Sequence, residues 1–267
     1  MILVVMYHVG MFSYGMALPK SYYHVFNFFM LPLFFFVSGW CCYRTDIRGI
    51  KMFYSFCRNK FNLLIIPSII FMLLSIYVFH LDAWNTVFNE WKAGYWFTVV
   101  LFFFFFLYAI IQWTYANVHL SDKLKDILLW VLAFLVFCAS LKPVGEVSGL
   151  FGYLYNGLSI SQWWYFLFFI IGVLVRKHFD KFVDFTNNQY VVASFLVVFS
   201  MVFLFRNEIA SISYGINVLV LGFTGTVFSF TFFRKQQALF SKDTILGRIL
   251  QLIGKRTLDI YMIHYFY

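Results

Sequence analysis

Apolar stretches of about twenty residues follow one another along this chain with only short polar interruptions, and that succession leaves few folds open. A helix of that length crosses hydrocarbon while satisfying its own backbone hydrogen bonds, and the runs lack the alternation of a transmembrane barrel. The composition agrees: 63% of residues are hydrophobic and 12% charged, against roughly 25% charged in an ordinary soluble domain. The expected fold class is therefore all-α, a polytopic transmembrane helix bundle of about nine to ten helices forming a single domain over 1–267. Spans are expected at 1–18, 24–43, 61–79, 95–115, 127–141, 160–175, 189–205 and 212–233, with a last one opening near Thr257. Pro32 and Pro67 fall inside the second and third spans and are expected to bend them. The 11 residues from Thr257 to Tyr267 cover only about 16 Å of a hydrocarbon core about 30 Å thick, so the last helix is expected to be truncated. The first run has no basic flank and no small-residue cleavage site, which reads as a retained helix rather than a signal peptide.

Placement of the 20 Lys and Arg residues sets the expected orientation. Sixteen of them follow even-numbered spans: Arg44, Arg48, Lys51, Arg58 and Lys60; Lys123 and Lys125; Arg176, Lys177 and Lys181; and the six from Arg234 to Arg256. Only Lys20, Lys92, Lys142 and Arg206 occupy the other loops. That alternation is the positive-inside pattern, so the N-terminus and the basic loops are expected in the cytoplasm. It also gives the net charge of +9 a membrane explanation and argues against nucleic acid as a partner. The four cysteines lack the paired spacing of a zinc or redox centre. No two histidines share helical i, i+3 or i+4 spacing, so no metal site is expected.

Of the six histidines, His80, His119 and His178 lie in or beside loops and His24 at the start of the second span. His8 and His264 fall within spans. Ionisable groups at membrane depth are costly and read first as functional. An imidazole suits the task of accepting a hydroxyl proton near neutral pH.

Four stretches then carry a likeness: LVVMYHVG at 3–10, LPLFFFVSGW at 31–40, YWFTVVLF at 95–102 and GKRTLDIYMIHYF at 254–266, with a weaker echo in WWYFLFFIIGVL at 163–174. In that order, and spread over the whole chain, they resemble the acyltransferase 3 family of bacterial integral-membrane O-acyltransferases. The resemblance implies transfer of an acyl group, usually acetyl, from cytoplasmic acyl-CoA to a hydroxyl of a cell-envelope carbohydrate or lipid-linked acceptor, in the bacterial inner membrane. It places the family's first-helix histidine on His8 and its terminal tyrosine and histidine on Tyr261 and His264. It also puts basic donor contacts at the mouth of the third helix, where Arg58 and Lys60 stand. Coenzyme A carries several phosphate charges that need guanidinium or ammonium partners, and the loop from Arg44 to Lys60 is strongly basic.

In the expected mechanism His8 acts as general base or transient acyl carrier, while His264 and Tyr261 position the acceptor or the developing oxyanion. Trp96, Ser38 and Asn27 are secondary candidates. The main rival is a secondary transporter or flippase for a glycan or small solute, built on the same kind of bundle. It fits less well, because the two halves show no repeat and acidic residues are missing from the spans apart from Asp259 at an edge. A scaffold subunit without chemistry is a third reading.

Overall fold

The computed structural model describes residues 4, 5, 8, 20–43, 47–88, 91–141 and 149–266, with the side chains of 20–27, 212 and 265 left aside. Most of the first expected span, Arg44 and Lys142, and the side chains of His24 and Asn27, lie outside the described residues. Among the described residues all regular structure is helical and there are no strands. The main helices are α1 (Lys20–Cys42), α2 (Ile50–Lys60), α3 (Ile66–Phe79), α4 (Ala83–Phe88), α5 (Trp96–Asn117), α6 (Asp122–Ser140) and α7 (Gly149–Gly157). They continue with α8 (Phe166–Lys177), α9 (Phe179–Asn187), α10 (Gln189–Leu204), α11 (Arg206–Ile212), α12 (Tyr214–Lys235), α13 (Ile245–Lys255) and α14 (Thr257–Ile263).

Four continuous helical segments among the described residues are long and apolar enough to cross a bilayer: Ile50–Phe79, Trp96–Asn117, Ile160–Lys177 and Tyr214–Lys235. The bent pair α9 and α10 makes a fifth if counted as one span. Length and hydropathy thus support four to five spans among the described residues, fewer than the nine to ten expected of the whole chain. Helix α6 shows why: its first turns hold Asp122, Lys123, Lys125 and Asp126, so only its second half is purely apolar. These helices expose apolar faces that water does not tolerate at this scale. Ile66, Ile69, Ile70, Leu73 and Leu74 of α3 are exposed, as are Leu196, Val197, Val198, Met201 and Leu204 of α10. Hydrocarbon is the solvent these faces fit.

The chain divides into two compact units, 1–37 with 175–267 and 38–174. In the second, α5 and α8 build an aromatic core: Phe104, Phe166 and Phe169 are fully buried. Phe104 meets Phe166 edge-on at 5.2 Å, and Phe105 meets Phe169 at 5.5 Å. The C-terminal end of α1 closes on this core at Gly39, where a β-carbon would fall inside the van der Waals shell of the Phe169 carbonyl oxygen. Close approach of backbones through a small residue is a common way to pack helices where lipid removes the hydrophobic drive between them.

Pro67 acts one turn before its own position. The segment Phe61–Ile65 between α2 and α3 widens to π-helix, with the Ile66 N–H reaching back to the Phe61 carbonyl. Proline has no N–H for the carbonyl four residues earlier and its ring collides with it, so an extra residue is taken into the turn. The Ser68 hydroxyl donates to the Leu64 carbonyl at 2.6 Å, and its oxygen shares a hydrogen bond with the Thr98 hydroxyl at 2.5 Å, tying α3 to α5.

In the first unit, α1 meets α10 through Phe29 and Phe199 at 5.9 Å and α12 through Phe36 and Phe230 at 5.1 Å, and α10 meets α12 through Phe195 and Phe223 at 5.9 Å. Helices α9 and α10 meet at 83°. The Asn188 side chain caps α10 there by accepting from the Tyr190 N–H at 2.9 Å, an ordinary N-cap role. Helix α13 is strongly amphipathic, with Ile245, Leu246, Ile249 and Leu252 exposed along it.

Candidate functional site

The two histidines singled out within spans meet in space, although 256 positions separate them. His8 is helical and half-buried. His264 is the C-cap of α14, one turn after Tyr261, and only 8% exposed. Nε2 of His264 lies 2.9 Å from Nδ1 of His8, and the ring centroids are 4.8 Å apart. The other nitrogen of His264, Nδ1, lies 2.5 Å from the Tyr261 carbonyl oxygen. The Tyr261 ring, buried like its neighbour Met262, tilts against the His264 ring at 5.4 Å.

That geometry assigns the tautomers. A carbonyl oxygen only accepts, so Nδ1 of His264 carries the hydrogen and donates it to Tyr261. In a neutral ring Nε2 then holds the lone pair and accepts from the Nδ1–H of His8. It follows that the lone pair of His8 sits on Nε2. The local fold makes this arrangement natural. Carbonyls of a helix's last turn have no partner within the helix, and an imidazole at the C-cap supplies a donor to one of them. Chemically, a proton taken up at Nε2 of His8 produces an imidazolium whose Nδ1–H strengthens its bond to His264, the arrangement by which a second group orients and steadies a base.

Arg58 and Lys60 have different settings. Two residues apart on α2, they leave the helix in different directions. Arg58 is exposed. Lys60 turns inward and lays its ammonium 4.0 Å from the centroid of the Phe105 ring, with Phe56 at 5.6 Å, a cation–π contact. Of the secondary candidates, Trp96 is buried and stacked on Tyr165 at 6.0 Å. Ser38 is half-buried. Thr231 and Arg234 of α12 are not distinguished by sequence, where Arg234 counts only among the basic residues that set topology. The signal available was their i, i+3 spacing at the end of a span.

Apolar helices of membrane length define an integral-membrane protein, and its first unit brings two imidazoles into contact. The chain belongs to the acyltransferase 3 family: the family model, described as an acyltransferase domain, matches residues 1–267, the whole chain. It is accordingly an acyltransferase acting on groups other than aminoacyl groups. No curated protein and no solved structure matches it.

Proposed function

We propose that this protein moves an acyl group, acetyl in the simplest case, from cytoplasmic acyl-CoA to a hydroxyl of a cell-envelope carbohydrate or lipid-linked acceptor. The observation that carries the reading is the His8–His264 contact, a base with a second imidazole behind it. The acceptor hydroxyl gives its proton to Nε2 of His8 as its oxygen attacks the thioester carbonyl. The tetrahedral intermediate collapses with cleavage of the carbon–sulfur bond, and the proton on His8 passes to the departing thiolate. His264 acts through His8, and the Tyr261 ring and carbonyl hold His264. Arg58, exposed at the entrance to α3, is the residue we assign to donor phosphates. Lys60, held over Phe105, contributes positive potential there without direct contact.

The same reading keeps the bundle of nine to ten helices, with the 23-residue α1 and the 19-residue α6 also crossing. It also keeps the bacterial inner membrane and a cytoplasmic N-terminus. The test is incubation of the protein in proteoliposomes with acetyl-CoA labelled in the acetyl carbon and a crude cell-envelope glycan fraction. Covalent label on the glycan is expected. Glycan or solute crossing the bilayer with no label attached would replace this reading with that of a transporter.

A further inference from the structure

Four buried side-chain polar atoms among the described residues have no hydrogen-bond partner: Asn217 Oδ1, Thr226 Oγ1, Thr231 Oγ1 and Arg234 Nε. Two of them, on Thr231 and Arg234, lie one turn apart on the same face of α12. Residues three apart on a helix are neighbours on its surface, so the Thr231 hydroxyl and the Arg234 side chain leave α12 from the same side. Buried donors left unpaired are expensive, more so on a cation, and this pair sits together at the end of a membrane helix.

The side chains that accept hydrogen bonds from Arg234 are neutral. One of its terminal nitrogens donates to Thr186 Oγ1 and to Asn187 Oδ1, both at 3.1 Å. Thr186 is fully buried and its hydroxyl is committed to the Phe182 carbonyl at 2.7 Å, so its oxygen is left to accept from the guanidinium. Lys235 donates to the Asn187 carbonyl at 3.3 Å. The two positive groups thus converge on the last turn of α9 and donate there to amide, hydroxyl and carbonyl oxygens. Basic residues in the last turn of a helix ordinarily serve its own carbonyls or reach into water. Arg234 instead crosses to another helix and keeps its Nε–H turned away from solvent. A guanidinium anchored by one terminal nitrogen, with Nε–H, a threonine hydroxyl and a lysine beside it, has the donor set and charge of an oxyanion cradle.

We propose that the junction of α9 and α12 binds a phosphate group, held by Arg234 Nε–H, the Thr231 hydroxyl and the charge of Lys235. The phosphate belongs either to an anionic phospholipid headgroup or to coenzyme A, since both present the same oxyanion at the basic face. The site does not depend on the transfer reading, because phosphate binding is measured without turnover.

The experiment compares the wild-type chain with Arg234→Gln and Thr231→Val, each in phosphatidylcholine nanodiscs, titrated with free coenzyme A and separately with increasing phosphatidylglycerol. Thermal midpoint is the readout. One of the two ligands is expected to stabilise the wild type. For that ligand Arg234→Gln is expected to weaken apparent affinity by about tenfold or more and Thr231→Val by several-fold, as loss of charge-assisted bonds implies. Stabilisation by coenzyme A in phosphatidylcholine assigns the phosphate to the nucleotide; stabilisation by phosphatidylglycerol alone assigns it to lipid. The proposal is overturned if neither ligand stabilises the protein, or if the variants shift the midpoint but leave the ligand response unchanged. The latter would make Arg234 a structural tie alone. Thr231→Val is close in shape and keeps the test decisive should Arg234→Gln fail to fold.

Discussion

Replacing His8 with alanine is expected to reduce acyl transfer by about 10²–10⁴-fold, the usual contribution of a general base, while the protein still inserts and purifies normally. In barrier terms that is about 3–5.5 kcal/mol. The geometry makes a sharper statement about its partner. His264 touches the base through the His8 Nδ1–H at 2.9 Å, so its loss misorients the base without removing it. His264→Ala is therefore expected to cost less than His8→Ala, and the double variant to be no slower than His8→Ala alone, because groups that act as one unit do not add. Initial rates of labelled acetyl transfer for the three variants decide this. Losses that multiply in the double variant would give His264 an independent role, and a fully active His8→Ala would remove the pair from the mechanism.

Both histidines were legible in the sequence, since an imidazole inside an apolar run invites explanation at once. Their meeting was not, because residues 256 positions apart are joined by tertiary packing that no spacing records. The helical class is equally plain, and Pro67 announces a distortion of the third span without saying which kind. The actual device is the π-turn at Phe61–Ile65, which depends on how the chain relieves the proline clash. Arg58 and Lys60 stand two helical positions apart, about 200° of rotation, so their charge is legible in the sequence while the turn of Lys60 onto Phe105 depends on packing. Arg234 looked like one more topology charge, and its destination on α9 depends on the sharp turn at Asn188.

Gly39 is expected to tolerate nothing larger. A β-carbon there meets the Phe169 carbonyl oxygen, a backbone atom that cannot swing aside as a side chain would. To admit an alanine, α1 must retreat from the aromatic core that Phe104, Phe166 and Phe169 fill completely. Overpacking of this kind costs about 1–3 kcal/mol, which for a chain above 150 residues corresponds to a midpoint fall of about 2–4 °C per kcal/mol. Gly39→Leu adds a branched chain to the same space and is expected to leave little monodisperse protein. The control is Gly254 of α13, where a β-carbon meets nothing within 4 Å. Gly254→Ala is expected to be neutral or to stabilise by up to about 1 kcal/mol through helix propensity. Thermal unfolding in one detergent, followed by size-exclusion profile, separates the cases; equal midpoints for the two alanine variants would refute the close approach.

Helix α13 runs directly into α14, with Arg256 between them, and α14 ends on His264. The exposed leucine and isoleucine row along α13 suits the boundary where acyl chains give way to headgroups, and α13 is expected to lie there. Extraction into short-chain surfactant removes that boundary while leaving the buried cores intact. The segment that stations His264 then loosens first, so catalytic competence should fade on purification well before the helices melt, and return when native-like lipid is supplied.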